Sequence, residues 1–328
     1  MALPVVSIRD AQSGAVASLL PGQGFNCFRF EVPTARGPLD LLWAEPGVEE
    51  GNRRASASGI PLLFPFPGRL QGTTLHWAGR DYALTAGDGR GNAIHGFAHE
   101  LAWRVIDQQP HRITGEFQAD VDCPELLKHW PGDFRIQATY EVREFGLYAV
   151  YLLENPGKHD LPCGFGTHPY FRLPLGGSRA DACRVSLPVA AQWELSEMIP
   201  TGRLITLPDA PTLQAGQPFA AMHYDDVFTD LWFADEWATA TITDPESQAR
   251  IEVRFDDAFR ECVVYTPPHR EAICIEPYTC VPDAFRLKER GISAGLRVLP
   301  AGQSFEARME IRFRSDATEV GHARPGDA

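Results

Sequence analysis

Apolar residues in this chain come in short runs that alternate with polar ones at roughly every second position, and Gly and Pro punctuate the runs. A period of two puts successive side chains on opposite faces of extended backbone, so the pattern predicts strands rather than amphipathic helices. Between Leu3 and Trp43 it predicts strands that include 25–32 and 39–43. Further strands are predicted at 103–106, 113–118, 134–142 and 147–153, then at 184–189, 231–233, 239–243, 250–255, 263–266 and 272–276. Residues 305–313, Phe-Glu-Ala-Arg-Met-Glu-Ile-Arg-Phe, alternate as a half-exposed closing strand should. The stretch 75–84 reads as a hairpin turning at Gly79, and short helices are expected only at 123–130 and 283–290. Three prolines in 59–69, Gly-Ile-Pro-Leu-Leu-Phe-Pro-Phe-Pro-Gly-Arg, exclude a regular helix or a central strand there.

So many strands with so few helices imply an all-β, largely antiparallel fold, either a large β-sandwich or a jelly-roll-like pair of sheets, in which an open sheet face would be the natural ligand site. No internal repeat or linker-like shift of composition divides the chain. One domain over 1–314 is expected, with 315–328 as a polar, frayed tail.

Composition narrows the partners. Apolar residues make up 44% and charged residues 22% of the 328, the balance of a soluble globular protein with a sizeable core. A net charge of −13 opposes tracking along nucleic acid or lying on an anionic membrane, so an uncharged small ligand is the better match. Seven cysteines, an odd number without a C-x-x-C pair, read as reduced and mostly buried thiols. No charged-then-apolar leader, no long apolar run and no N-x-S/T acceptor is present, which leads us to expect a cytoplasmic location, as a monomer or homodimer.

Two stretches then stand out chemically. In Gly164-Phe-Gly-Thr-His-Pro-Tyr-Phe171 the proline at 169 biases His168 toward extended backbone, and alternation groups Gly164, Gly166 and His168 on one face. Two missing side chains beside an imidazole suggest open space. In Ala272-Ile-Cys-Ile-Glu-Pro277 a proline likewise follows Glu276, and the small residues Ala272 and Cys274 share its face. A rigidly held histidine and glutamate make a general acid and base for one small ligand. Taken singly, each also reads as an ordinary residue: a core histidine in a turn, or a salt-bridged carboxylate.

Other residues are candidates for holding the ligand. His95, in Ile94-His-Gly-Phe97, has Gly96 beside it; its spacing to His99 resembles a metal pair on a helix, but the neighbouring glycines oppose a helix, and no metal is expected. Arg69 ends the proline-stiffened run and could present its donor fork to hydroxyl oxygens, or snorkel at the surface. Asp225 and Asp226 could accept from hydroxyls, or form a turn pair. The glycine-rich 87–91 lies outside a strand-to-helix context, so it is no phosphate cradle, and no G-x-S-x-G elbow occurs. Trp77, Trp103 and Trp130 read as core rather than sugar platforms.

Four stretches together, GIPLLFPFPGR at 59–69, NAIHGFAHELAW at 92–103, FGTHPYF at 165–171 and EPYTCVPDAF at 276–285, resemble the aldose 1-epimerase, or galactose mutarotase-like, family in content and order. The resemblance covers most of the chain. It implies the family's antiparallel supersandwich and the interconversion of α and β anomers of a free, neutral aldose without a cofactor. It also implies His168 as general acid and Glu276 as general base, with His95, Arg69 and Asp225 holding sugar hydroxyls. Where the best-known members carry an asparagine before the catalytic histidine, this chain has Thr167. Alternatives on the same fold are a non-catalytic carbohydrate-binding or regulatory protein, a hexose-6-phosphate epimerase drawing on Arg69 and Arg172, and a glycoside-active enzyme.

Overall fold

The structure, a computed structural model, describes residues 2–315, so the tail expected at 315–328 lies, apart from Ser315, outside the described residues. Two large sheets carry the fold, and every named strand pairs antiparallel with its neighbours. The larger sheet has ten strands, with Arg135–Arg143, Gly146–Glu154, Ser304–Arg314 and Ala249–Asp256 at its centre. Period-two patterning shapes it directly: Ile136, Ala138, Tyr140 and Val142 of one strand are buried while the residues between them are partly wetted.

The second sheet has eight strands, and its central strand Ala272–Tyr278 is buried on both faces. Phe228, Cys262, Val264, Ile273 and Ile275 point from this sheet into the main core, against Tyr151, Met309 and Ile311 of the larger one. Contacts across the gap include the rings of Tyr151 and Phe165, 4.9 Å apart, and the Thr167 hydroxyl, which donates to the Met309 sulfur at 3.5 Å. Since side chains alternate, Val227, Val263, Cys274 and Glu276 are driven to the opposite face. That outer face carries the site.

The proline-rich run sits where proline chemistry permits. Leu62–Leu63 ends the eight-stranded sheet as a two-residue edge strand beside Gly166–Thr167, and Arg69–Leu70 pairs with Ala93–Ile94. The hairpin forms as Thr74–Trp77 and Arg80–Ala83, turning through Ala78 and Gly79, both left-handed. All seven cysteines are free, and six are buried.

Three expectations need correction. Residues 123–130 hold only a short 3-10 turn, Pro124–Lys128, after the one-turn helix Ala119–Asp122. The strand expected at 231–233 shrinks to Phe233–Ala234, and a longer one lies at Asp225–Thr229; between them the chain turns at Asp230, whose φ is +53°, leaving Trp232 exposed. Asp225 and Asp226 are therefore strand residues, paired to Tyr265 and Val264, and not a turn. Ala191–Ser196 and Ile199–Thr206 form a further pair of strands that the hydrophobic pattern did not reveal.

Candidate active site

Strand register brings the two proline-following stretches together. Gly166 pairs with Tyr278 and Tyr170 with Cys274, and the same register, interrupted at Pro169, sets His168 opposite Glu276. His168 Nε2 lies 3.4 Å from Glu276 Oε1. The His168 backbone is anchored by its N–H donating to the Pro61 carbonyl at 3.0 Å, and its ring stacks on Tyr170 with centroids 4.8 Å apart. Glu276 Oε2 accepts a 2.7 Å hydrogen bond from the Tyr278 hydroxyl, which leaves Oε1 directed at the imidazole.

His95 arrives from a different element. Both His95 and Gly96 adopt left-handed backbone, with φ of +68°, and the turn is tied down by His95 N–H donating to Gly68 O and Phe97 N–H to Phe64 O, each at 2.9 Å. A left-handed non-glycine residue is costly unless its surroundings enforce it. Here the turn delivers the His95 ring to 5.4 Å from that of His168. Arg69 pairs across from Ile94, with Nη2 3.6 Å from Asp225 Oδ2 and Nε 3.4 Å from Asp88 Oδ2. Asp88 belongs to the 87–91 loop, which thus contributes a carboxylate to Arg69.

All five sequence-predicted residues, Arg69, His95, His168, Asp225 and Glu276, line one cavity of about 240 Å³. Three tyrosines, Tyr170, Tyr265 and Tyr278, and a wall of Val227, Val263 and Leu195 complete it. None of Trp77, Trp103 and Trp130 is in the lining. The sequence reading missed Tyr278 and Arg54. Tyr278 lies two residues beyond Glu276, on the same face, and that period was available. Arg54, at the cavity mouth, has no such pattern to mark it; its Nη2 donates to Gly87 O at 3.2 Å.

Two local inferences fail. A Cβ on Gly166 would meet Tyr278 Cδ1 at 2.4 Å, and one on Gly164 would meet Cys280 Sγ. The missing side chains make room for the protein's own rings and thiol, not for a ligand. Gly96 likewise accommodates the Phe64 carbonyl, 2.4 Å from where its Cβ would be. Arg172 is not in the cavity lining either; it faces Asp40 at 3.9 Å.

Electrostatics set the protonation. Burial pushes His168 down to about 3, helped by His99, Arg54 and Arg69, and pushes His95 well below the usual histidine value. Burial also raises Glu276 well above the usual carboxylate range, against the pull of the Tyr278 hydrogen bond. A histidine near its ordinary value, half charged around neutrality, is therefore not what this site contains. Among the described residues, His168, Cys274 and Glu276 each offer one metal-ligating atom, all within 4.8 Å of one another.

Comparison with known proteins identifies the family and the fold. The family model for aldose 1-epimerases matches residues 11–312. The chain belongs to the aldose 1-epimerase family. Its fold is galactose mutarotase-like: a galactose mutarotase-like protein from Clostridium acetobutylicum superimposes with a TM-score of 0.83, covering 96% of this chain and 99% of its own at 22% identity. Galactose 1-epimerase from Lactobacillus acidophilus NCFM superimposes at 0.65, covering 95% and 99% at 17% identity. YphB of Escherichia coli K12, itself uncharacterised, is 22% identical over 302 residues, 87% of this chain and 95% of its own. At these identities the structural likenesses establish this aldose 1-epimerase family member's fold, and its chemistry rests on the residues above.

Proposed function

We propose that this chain is an aldose 1-epimerase, interconverting the α and β anomers of a free aldose by ring opening and reclosure. One observation carries the reading: His168 Nε2 and Glu276 Oε1 stand 3.4 Å apart in the wall of a sugar-sized cavity. The anomeric and ring oxygens of a pyranose are bonded to the same carbon, so an acid and a base that serve both must themselves be neighbours. Glu276 takes the proton of the anomeric hydroxyl while His168 protonates the ring oxygen, and the bond from C1 to the ring oxygen breaks to give the aldehyde. Rotation about C1–C2 and reclosure with the roles reversed gives the other anomer. Arg69, Asp225 and His95 hold the remaining hydroxyls.

Burial sets where the pair's proton rests. Ring opening converts imidazolium and carboxylate into imidazole and carboxylic acid, so the pair holds one proton more than imidazole plus carboxylate throughout. A lowered His168 and a raised Glu276 favour the neutral pair, so the imidazolium–carboxylate form is the minor tautomer of the one-proton pair and reacts downhill once formed. The groups in direct contact with Glu276 are the His168 imidazole and the Tyr278 hydroxyl, so the acid beside the base is an imidazole.

Polarimetry over a panel of free hexoses and pentoses tests the proposal. Glu276→Gln and His168→Asn should each lower the enzymatic rate by about 10²–10⁴-fold, the usual weight of a positioned acid or base. If both variants keep the wild-type rate, the assignment is wrong; sugar binding by calorimetry without acceleration would make the protein a binder. A second reading, a phosphorylated aldose, is favoured by Arg54, which has no carboxylate within ion-pair range among the described residues. Under that reading Arg54→Ala should weaken use of a hexose 6-phosphate by about 10-fold or more, as loss of a charged hydrogen bond does, and spare the free hexose.

A further inference from the structure

Cys274 plays no part in the proposed epimerisation, yet it stands beside both residues that do. It is fully buried in a small cluster with Trp43, Tyr170 and Ala272 and does not line the cavity. Register accounts for its position: Cys274 pairs with Tyr170 on one side and Tyr265 on the other, one step along the sheet from the row that holds His168 and Glu276. A nitrogen, a sulfur and an oxygen donor thereby fall within 4.8 Å of one another, each on rigid strand or proline-fixed backbone.

We propose that His168, Cys274 and Glu276 form a binding site for a thiophilic divalent cation, with Zn²⁺ the best match. Zn²⁺ takes imidazole, thiolate and carboxylate ligands at roughly 2.0–2.3 Å, which sets tetrahedral donors about 3.3–3.7 Å apart. The imidazole and carboxylate are already 3.4 Å apart, and the thiol needs to close by at most about 1.5 Å to complete the triangle. Glu276 Oε2 is held by Tyr278, so Oε1 is presented to the ion by a fixed outer partner, the arrangement that tunes metal ligands. Nε2 of the buried His168 ring is the nitrogen that faces Glu276, and it is the one offered to the ion. Three protein ligands beside an open cavity leave the fourth position to water or a sugar hydroxyl. On binding, the thiol proton and the proton shared by the pair pass to solvent, and thiolate, carboxylate and imidazole together neutralise the ion. Occupancy removes both the acid and the base, so the ion is an inhibitor and not a cofactor.

Cobalt reads the site without reference to activity. The chelator-treated full-length protein titrated with Co²⁺ should show a thiolate-to-cobalt charge-transfer band saturating at about one ion per chain, and Zn²⁺ should abolish it. Cys274→Ser should lose the band, and His168→Asn should weaken Co²⁺ binding by about 10-fold or more, with circular dichroism confirming that both are folded. Should the serine variant not fold, Cys274→Ala takes its place. No band, a band that survives loss of Cys274, or unchanged affinity in His168→Asn overturns the proposal. A second arm rests on the epimerase reading: Zn²⁺ should inhibit mutarotation reversibly, chelator should restore it, and Cys274→Ser should need about 10-fold more Zn²⁺ for the same inhibition. A cobalt band as expected with no mutarotation in any sample would sink the epimerase reading and leave the metal site standing. Inhibition of equal potency in the Cys274→Ser protein would overturn the metal site.

Discussion

Replacing Tyr278 by Phe isolates one hydrogen bond at the base. The Tyr278 hydroxyl donates to Glu276 Oε2 at 2.7 Å, and both side chains are buried. A hydrogen bond to a charged group contributes about 1.5–3 kcal/mol, and this one favours the ionised carboxylate. Its loss therefore moves the raised Glu276 pKa further upward, by about 1–2 units at 1.36 kcal/mol per unit. The active pair carries one shared proton. It is lost to a second proton as pH falls toward the His168 value of about 3, and loses its own as pH rises through the raised Glu276 value. Wild-type activity should thus have no acid limb near the ordinary histidine value. In Tyr278→Phe the alkaline limb should move up while the plateau rate falls by about 10–100-fold, because less of the pair is carboxylate. The ring remains to pack over Gly166, so folding should hold. Polarimetric rates across pH, corrected for buffer-catalysed mutarotation, decide the matter. An unchanged plateau together with an unchanged alkaline limb would refute Glu276 as the ionised base.

Gly166→Ala places a methyl group 2.4 Å from the Tyr278 ring and 2.7 Å from Pro67 Cβ, so it should cost about 1–3 kcal/mol in urea unfolding through overpacking. A variant as stable as wild type would show that the ring moves aside freely. Glu261, buried and accepting from Trp193 Nε1 at 2.9 Å, is raised by burial to about 7. Since an unfolded glutamate titrates near about 4.3, the native state binds the extra proton between those values, and stability falls as pH rises through that window. Glu261→Gln should remove that fall, giving closer urea midpoints at pH 5 and pH 8 than wild type shows; an equal fall in both proteins would exclude Glu261 as its source.

How much of this was written in local sequence depends on the distance over which each feature acts. Alternation of apolar and polar residues marked Phe134 to Val142 and Phe305 to Phe313 as strands because side-chain direction in extended backbone depends only on the next residue. Proline after His168 and after Glu276 constrained each residue through its immediate neighbour. Asp225 was ambiguous because an aspartate pair beside aromatics suits a turn as well as a strand end. Only its pairing with Tyr265 resolves that.

The sequence by itself determined a β-rich chain, the outer face on which Glu276 lies, and the residues able to move protons. Tertiary structure decided that Gly166 meets Tyr278 and Tyr170 meets Cys274, a register made by pairing residues about a hundred positions apart. From that register follow the contact between His168 and Glu276, the thiol beside them, and the rings that fill the space above the glycines. Burial is likewise a property of the assembled sandwich, and burial is what drives His168 down and Glu276 up. An imidazole and a carboxyl are named by the sequence; their acid strengths are set by the water that folding removes.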